Sequence, residues 1–408
     1  MSANQDSGTH LEDAQVLRPH AREFERAFAG GARARLFFSP GRINLMGAHL
    51  DYNGGPVMPT AVDRGTFLAV RPRSDRRVVF AATMADARPL EVDLDALPRE
   101  RTGQWSDYPL GVLVEACALA RVRGCASDVQ GLDILFGGNL PVGAGLSSSA
   151  SICVGTAFAV DALWGLGLER LEIVDIALRA ERNFVGVQCG IMDPFAVGLA
   201  RAGSLLWLDC KDQTSAYLPL DTANLSIGVA DTLVRRELAQ GAFNERVAQC
   251  REAFEMLARH QPGAECLRDI RYDTLTAHQH ELSDECARRA HHVIPEVART
   301  FAAKAALERG DVVGFGAEMF RTHASLREFF EVSVPELDTL VQGAEQSEGC
   351  LGARLTGAGF GGCVVLLVRK GSEASVAARL AADFSLRFGY APKIDYFGGD
   401  SGPREVRI

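Results

Sequence analysis

A dense run of small and hydroxyl-bearing residues, at positions 140–151, is the stretch most able to do chemistry. It reads LPVGAGLSSSAS, and an apolar run with helical spacing follows directly. Glycine lets backbone approach a ligand closely, serine caps the free N–H groups of a helix start, and the helix dipole favours an anion there. We therefore predict a phosphate-binding loop. Its predicted contact residues are Gly143, Ala144, Gly145, Leu146, Ser147, Ser148, Ser149 and Ala150.

Two better-known phosphate motifs do not fit this loop. A Walker A loop ends in a lysine followed by serine or threonine, and the lysines of this chain lie elsewhere, at Lys211, Lys304, Lys370 and Lys393. A dinucleotide fingerprint begins at Gly143 and Gly145, but Ser148 takes the position of its third glycine. A plain tight turn with a serine cap remains the structural alternative, and motifs elsewhere in the chain favour phosphate binding over it.

Two more loops and two acids accompany the serine run. Residues 40–55 read PGRINLMGAHLDYNGG, and residues 354–363 form the glycine-dense RLTGAGFGGC. Glu181 lies near the end of a predicted helix, and Asp193 follows in the segment GIMD. Either glycine loop alone would be typical of an ordinary turn, so the prediction depends on the combination.

Length and composition limit the possible functions. The chain has 408 residues, is 47% hydrophobic and carries a formal net charge of −9. This length favours two domains that share a cleft, and the acidic balance argues against a nucleic-acid partner. The ten cysteines form no CxxC pair, and no apolar run is long enough for a membrane span. We therefore expect a reduced, cytoplasmic protein that binds neither nucleic acid nor membrane.

Hydrophobic periodicity predicts an α+β fold that is rich in strands in its first half. The predicted strands are 34–39, 66–71, 77–82, 90–93, 131–137, 201–209 and 225–230, and the predicted helices are 16–29, 109–121, 149–165 and 169–187. A helical region at 240–345 is expected to break near Pro262 and Pro295. A strand–helix–strand unit at 363–397 closes the chain. The histidine pairs at 278/280 and 291/292 are interpreted as polar helix faces rather than as a zinc site.

The three loops in this order, together with GIMD, resemble the galactokinase branch of the GHMP small-molecule kinases, and the resemblance extends from PGRINLMG to GAGFGG. It implies a two-domain α+β fold with the active site in the cleft. Residues 1–205 would form a domain of the ribosomal-protein-S5-like domain 2 type, and residues 206–408 a ferredoxin-like α/β domain. It also implies ATP and Mg²⁺, a small sugar substrate, and a monomer or homodimer.

The resemblance assigns roles at the phosphate end of the cleft. The serine loop would wrap the nucleotide phosphates, and Asp193 matches the catalytic aspartate that accepts the proton of the sugar hydroxyl. Arg42 matches an arginine that balances charge, and an arginine beside a carboxylate favours its ionised form. Ser148, with Ser147 as the open alternative, would hold Mg²⁺ together with Glu181, because hard oxygen ligands suit that ion.

At the sugar end, His49 and Asp51 match residues that hydrogen-bond sugar hydroxyls, and Gly190 matches a backbone contact. Two positions depart from the usual pattern of the branch. Ala48 stands in GAHLDY where galactokinases ordinarily read GEHTDY, and Phe243 stands where they usually have a tyrosine. Both differences fall on the sugar rather than on the phosphates.

The missing glutamate has an electrostatic consequence for the substrate. A glutamate 4 Å from a C6 carboxylate would repel it by roughly 4 kcal/mol at an effective dielectric constant of 20, or about a thousandfold in binding. For galactose, its loss forfeits only a hydrogen bond of about 1 kcal/mol. The loop also resembles plant galacturonate kinases, which carry GAH. We therefore predict a D-galacturonate 1-kinase ahead of a galactokinase, with Arg64 suggested as the cation for the carboxylate.

A non-catalytic sugar sensor related to galactokinases is a third hypothesis. The known sensor lacks two residues after the serine run, whereas Ala150 and Ser151 are present here, and both acids are intact. The sequence therefore favours an enzyme.

Overall fold

A computed structural model describes residues 6–84, 87–141, 145–187, 189–235 and 239–408 of the chain. Its helices are α1 (Asp6–Ala27), α2 (Asp107–Val122), α3 (Ser148–Trp164), α4 (Arg170–Arg179), α5 (Met192–Gly198), α6 (Ala239–Leu257), α7 (Tyr272–His278), α8 (Asp284–Glu308), α9 (Val312–Ser325), α10 (Pro335–Glu345) and α11 (Glu373–Phe388). Its strands are β1 (Arg35–Asn44), β2 (Pro56–Val57), β3 (Pro59–Pro72), β4 (Arg77–Ala82), β5 (Leu90–Asp93), β6 (Leu132–Gly138), β7 (Ser204–Asp209), β8 (Thr214–Pro219), β9 (Leu225–Asp231), β10 (Cys350–Thr356), β11 (Cys363–Arg369), β12 (Lys393–Phe397) and β13 (Arg404–Val406). The mixed α+β class predicted from the sequence is confirmed.

The first half of the chain forms a six-stranded sheet in the order β13-β1-β3-β6-β4-β5. Helix α3 packs on β1 and β3 and contacts α2 and α4. Strand β1 is almost wholly buried, and its pairing with β3 shifts register between Pro40 and Gly41. Such an irregularity re-aims the side chains after it. Arg42 follows directly, and the strand therefore delivers this arginine into the cleft.

The second half contains a four-stranded antiparallel sheet in the order β10-β11-β9-β12. Strands β11 and β12 both pair antiparallel with β9, and α11 connects them. The predicted closing strand–helix–strand unit is therefore present, with β9 between its two strands. Strand β10 was missed in the sequence because its glycine-rich stretch favoured a loop.

The predicted domain division at residue 205/206 falls inside β7, which pairs with β2 and β8 in a three-stranded sheet. The last strand, β13, returns to pair with β1 in the first sheet. The chain therefore crosses between the two halves more than once, and the division at 205/206 stays a prediction.

Within the helical region from α6 to α10, α9 and α10 pack on β10 of the second sheet. The chain does leave the helix near Pro262, after a 3₁₀ turn at Ala258–His260. The predicted break at Pro295 is wrong, because α8 runs through it. Proline in a helix costs about 3 kcal/mol, and the buried neighbours Val293, Ile294 and Glu296 hold this turn in place by packing. In the part of the chain that the structure describes, no helix has the length and apolar character of a membrane span.

Candidate active site

A cavity of about 390 Å³ is lined by the loop at 40–55, the segment around Asp193 and the start of the glycine-rich loop at 354–363. Its lining combines the charged residues of the phosphate end with the sugar-end residues of the loop at 40–55. Among the lining residues are Arg42, Ala48, His49, Asp51, Gly190, Asp193, Phe243, Arg354, Thr356, Gly357 and Ala358. The structure therefore gathers into one cavity residues that are up to about three hundred positions apart in the sequence.

Asp193 lies in the first turn of α5, where the positive end of the helix dipole favours a carboxylate. Arg42 binds it with two parallel hydrogen bonds, Nε to Oδ1 at 2.6 Å and Nη2 to Oδ2 at 2.8 Å. The arginine side chain is buried, whereas Asp193 keeps 27% of its side chain exposed to the cavity. The third donor of Arg42 binds the carbonyl of Gly145 at 2.7 Å, and so ties the serine loop to the aspartate.

The serine loop reaches Asp193 through Ser147. The Ser147 hydroxyl donates to Oδ2 of Asp193 at 2.5 Å. Ser147 has a positive φ of 54° and precedes the first residue of α3, so its side chain is turned away from the helix axis. The predicted contacts Gly143 and Ala144 lie outside the described residues.

Glu181 is the first acid of a π-helical turn, Ala180–Val185, that continues α4. Single π turns inside helices occur frequently at functional sites. Burial raises the pKa of Glu181 to about 7, opposed by a hydrogen bond from Ser149. Its Oε2 atom is buried without a hydrogen-bond partner among the described residues. An unsatisfied carboxylate oxygen beside a hydroxyl is a donor set that suits a hard cation such as Mg²⁺.

The hydroxyl that contacts Glu181 belongs to Ser149 and not to Ser148. Ser148 opens α3 on its exposed side, and Ser147 is engaged with Asp193. The helical spacing explains this difference, because successive residues of the first turn point about 100° apart. The assignment of Ser148 to the metal stays a prediction, and the structure adds Ser149 as a candidate.

The glycine-rich loop after β10 faces the serine loop. A Cβ atom on Gly145 would lie 3.9 Å from the Cα of Gly357. Thr356, Gly357 and Ala358 line both the main cavity and a second cavity of about 210 Å³ beside the glycine loop. The two cavities therefore meet at this loop, within reach of Gly145.

His49 occupies a left-handed backbone position with φ of 59°. Its Nδ1 atom bonds the hydroxyl of Tyr52 at 2.9 Å, and its ring packs on Phe330 with centroids 4.6 Å apart. Burial lowers the pKa of His49 to about 3, with Arg354 and Arg246 adding to the shift. Its Nε2 atom is buried without a hydrogen-bond partner among the described residues. The residue thus offers the cavity a neutral imidazole nitrogen.

Asp51 and Gly190 are in direct contact. A Cβ atom on Gly190 would overlap the Asp51 carboxylate, so only glycine fits at position 190 without displacing it. Burial raises the pKa of Asp51 to about 6, and the charge of Asp193 adds to the rise. The two carboxylates therefore face the same cavity.

Ala48 and Phe243 form an uncharged wall at the sugar end. Phe243 lies edge-on to Tyr52 at 5.6 Å between ring centroids and 6.0 Å from the ring of His49. The carbonyl of Ala48 bonds Nε2 of His292 at 3.2 Å. The prediction that His292 lies on a polar helix face is wrong, because this side chain is fully buried behind the sugar loop.

The arginines that line the cavity within the described residues are Arg42 and Arg354. Arg354 donates to the carbonyls of Leu45, Asn44 and Leu355 at 2.6–2.7 Å, and burial lowers its pKa to about 10. Arg64, suggested as the partner of a C6 carboxylate, does not line the cavity. It is exposed and pairs with the neighbouring Asp63. That suggestion from proximity in sequence is wrong, since the Arg64 side chain pairs with Asp63 outside the cavity.

The roles of Arg354, His292 and Phe330 were not predicted from the sequence, and Ser149 was predicted to contact the nucleotide but not Glu181. Arg354 was inside the quoted loop but looked like its first residue, whereas it belongs to β10 and braces the sugar loop. Phe330 ends a second π-helical turn, Leu326–Phe330. Contacts of this kind join segments far apart in sequence and leave no local signal.

Three family models of small-molecule kinases match this chain, and the matched ranges include residues of this site. The GHMP kinases N terminal domain matches residues 112–201, the galactokinase galactose-binding signature matches residues 22–72, and the GHMP kinases C terminal domain matches residues 303–386. A galactokinase of Roseiflexus sp. is 43% identical over 82% of this chain and 83% of its own length. A galactokinase of Streptococcus thermophilus is 40% identical over 91% of this chain and 94% of its own length.

Solved structures of related kinases also match the fold of this chain. The galactokinase of Lactococcus lactis, crystallised with galactose, is 32% identical with a TM-score of 0.89, covering 96% of this chain and all of that one. A mevalonate kinase matches with a TM-score of 0.63 at 18% identity over 91% of this chain and 99% of that one, which shows the shared fold alone. The chain therefore belongs to the galactokinase family of the GHMP kinases.

Proposed function

We propose that this kinase transfers the γ-phosphoryl group of ATP to the anomeric hydroxyl of D-galactose, giving galactose 1-phosphate. The observation that carries the proposal is the position of Asp193. Arg42 and Ser147 hold its carboxylate from two sides, and it faces a cavity whose other end is the sugar loop. A fixed carboxylate at the junction of two subsites is what in-line transfer to a hydroxyl requires.

Asp193 would orient the sugar hydroxyl and accept its proton, while Arg42 holds the carboxylate in place through two hydrogen bonds. The phosphates would lie between the serine loop and the glycine-rich loop, where backbone N–H groups and the start of α3 favour negative charge. Glu181, with Ser149 or Ser148, would hold Mg²⁺ through hard oxygen donors. An ion held there would supply positive charge against the negative charge that develops on the phosphates during transfer.

At the sugar end, His49 and Asp51 would bind hydroxyls of galactose. A neutral imidazole can donate or accept a hydrogen bond, and the unpartnered Nε2 of His49 is free to do so toward the cavity. Asp51 accepts hydrogen bonds from hydroxyls when ionised. Gly190 leaves room for that carboxylate.

Galactose is preferred here to the galacturonate predicted from Ala48. The curated relatives are named galactokinases, and one solved relative contains galactose. Arg42 and Arg354, the arginines lining the described part of the cavity, are already bonded to Asp193 and to three backbone carbonyls. A C6 carboxylate would also share the cavity with Asp51 and Asp193. With both lining arginines engaged and two carboxylates already present, the cavity favours a neutral sugar over a negatively charged one.

The test is ADP release by the purified enzyme with ATP, Mg²⁺ and a panel of galactose, galacturonate, glucose and 6-deoxygalactose. We expect kcat/KM for galactose to exceed that for galacturonate by at least about a hundredfold, as roughly 3 kcal/mol of repulsion predicts. A higher kcat/KM for galacturonate would contradict the substrate assignment. Absence of turnover with every sugar would contradict the proposed reaction.

A further inference from the structure

Three metal-binding side chains meet at the surface of the helical region, away from the cavity of the candidate active site. They are His260, His278 and Glu281, and one donor atom of each lies within 4.8 Å of the other two. Within the described ranges, no other group of three His, Cys, Asp or Glu residues meets this condition. The three come from separate segments: the turn after α6, the end of α7, and the turn that follows α7.

Both imidazoles contact the carboxylate of Glu281, each at a different oxygen. Nε2 of His260 lies 2.9 Å from Oε2 of Glu281, and Nδ1 of His278 lies 2.8 Å from Oε1. The two imidazole rings are stacked, with centroids 3.5 Å apart and planes 12° from parallel. Metal–ligand bonds of about 2.0–2.2 Å in a tetrahedron place neighbouring donors about 3.3–3.5 Å apart. Binding one ion therefore requires the carboxylate to move back by about half an ångström. It also requires the two stacked rings to turn apart, because the lone pair of each nitrogen lies in the plane of its ring.

The surroundings suit an ion that enters from solvent. The side chains of His260, His278 and Glu281 are 28%, 31% and 34% exposed. Each is thus partly held by its neighbours but open on one side, where water can occupy a fourth position. Two imidazole nitrogens and one carboxylate oxygen favour zinc-class transition metals, whereas Mg²⁺ prefers oxygen ligands alone.

We propose that His260, His278 and Glu281 form a binding site for a divalent transition metal ion of the zinc class, with water as the fourth ligand. The ion replaces the protons that the two imidazoles now share with the carboxylate. Each proton moves to the other nitrogen of its ring or to solvent, and no oxidation is involved. The bound ion links the end of α6 to the end of α7 across residues 261–277, and so stabilises this part of the helical region.

The experiment is calorimetric titration of untagged, full-length protein with Zn²⁺ in excess Mg²⁺, so that oxygen-donor sites are already filled. We expect one Zn²⁺ per chain to bind the wild type. His278→Ala and Glu281→Gln should weaken this binding at least about tenfold. His280→Ala is the matched control, since it removes an exposed histidine of the same HxH pair that is not part of the cluster.

Two further readouts separate binding from a general effect on folding. Co²⁺ should give the visible absorption of a tetrahedral site in the wild type and in His280→Ala, but not in His278→Ala. Saturating Zn²⁺ should raise the thermal unfolding midpoint of the same two proteins only, because a ligand that binds the folded state stabilises it. Lack of saturable Zn²⁺ binding by the wild type, or equal affinity in His278→Ala and His280→Ala, would overturn the proposal.

Discussion

The two ends of the cleft differ in how charged and uncharged side chains are arranged. At the phosphate end, charged side chains are paired with one another: Arg42 binds Asp193 through two hydrogen bonds, and Ser147 adds a third. At the sugar end, His49 is neutral and packs among the aromatic rings of Phe243 and Phe330. The first end is arranged to stabilise charge that moves during a reaction. The second selects a shape and a set of hydroxyl groups.

This contrast explains where the chain departs from the usual galactokinase pattern. Ala48 and Phe243 both lie at the sugar end, where an exchange of side chains alters individual hydrogen bonds. Arg42, Asp193 and Glu181 lie at the charged end, where each group depends on its partners. Substitutions at the two ends should therefore differ in size and in the kinetic constant that they change.

The largest effect is expected for Asp193→Asn. The amide keeps the size of the side chain but cannot accept the proton and loses the ion pair with Arg42, so kcat should fall by roughly 10²–10⁴ while the fold persists. Steady-state kinetics with galactose measure this fall. Asp128→Asn, on an exposed 3₁₀ turn, is the matched control and should leave kcat unchanged. A loss of less than about tenfold for Asp193→Asn would remove this residue from the proposed chemistry.

The next largest effect should come from Gly190→Ala. The new methyl group would overlap the Asp51 carboxylate and displace it from the sugar, so kcat/KM for galactose should drop by roughly 10–100-fold. Gly241→Ala in α6 is the control, because a Cβ atom there meets nothing within 4 Å. Unchanged kinetics in Gly190→Ala would mean that the contact with Asp51 does not matter for binding.

A smaller effect, on stability, is expected for Asp51→Asn. The folded protein holds the Asp51 proton up to a pKa of about 6, against 3.8 for the ordinary carboxyl. Because the folded wild type holds this proton more tightly than the unfolded chain does, the free energy of unfolding includes a favourable contribution below pH 4. That contribution is lost as the pH rises from 4 to 6. The free energy of unfolding of Asp51→Asn relative to wild type should therefore increase by about 1–3 kcal/mol between pH 4 and pH 7.

Urea denaturation at several pH values measures this trend. Asp128→Asn, whose side chain is exposed, should follow the wild type across the same range. A difference between Asp51→Asn and wild type that does not vary with pH would show that the Asp51 carboxyl is not destabilised by burial.

The smallest effect is expected for Phe243→Tyr. The added hydroxyl would lie near Tyr52 and His49 at the sugar end of the cavity. One hydrogen bond of about 0.5–1.5 kcal/mol changes KM by roughly 2–10-fold. The kcat should stay within about twofold, because the phosphate end is untouched. A loss of kcat comparable to that of Asp193→Asn would break the division between the two ends.

The sequence predicted the parts of the site that are encoded locally. The strands and helices around the serine loop follow from short motifs with recognisable composition. The contact of Arg42 with Asp193 spans 151 positions and was predicted only from the family resemblance. The contact of Gly190 with Asp51 and the bond from His292 to Ala48 do not follow from such motifs, because they join segments that only the folded chain brings together. The galacturonate prediction shows the cost of this limit. It considered only the glutamate that Ala48 replaces, and not the carboxylates of Asp51 and Asp193 that also line the cavity.

Helix α8 teaches the same lesson for the fold. Pro295 indicated a helix end by its local preference, but the buried residues on either side of it keep the helix continuous. Strand β13 carried no signal of its own in three residues, and its place is fixed by the free edge of β1. Packing against distant partners thus decides the elements whose local preferences are weak or contrary.

Because of the two π-helical turns, the number of residues in each of these helices determines which way the side chains of the site point. One contains Glu181 and the other ends at Phe330, so each places a buried group against a residue of the site, Ser149 in the first case and His49 in the second. Deleting one residue from either turn would restore ordinary α-helical hydrogen bonding and rotate the residues beyond it by about 100°. Such a deletion would leave a helix that is locally more regular, but would aim these groups elsewhere. Sequence changes in these two helices are therefore constrained in length as well as in composition.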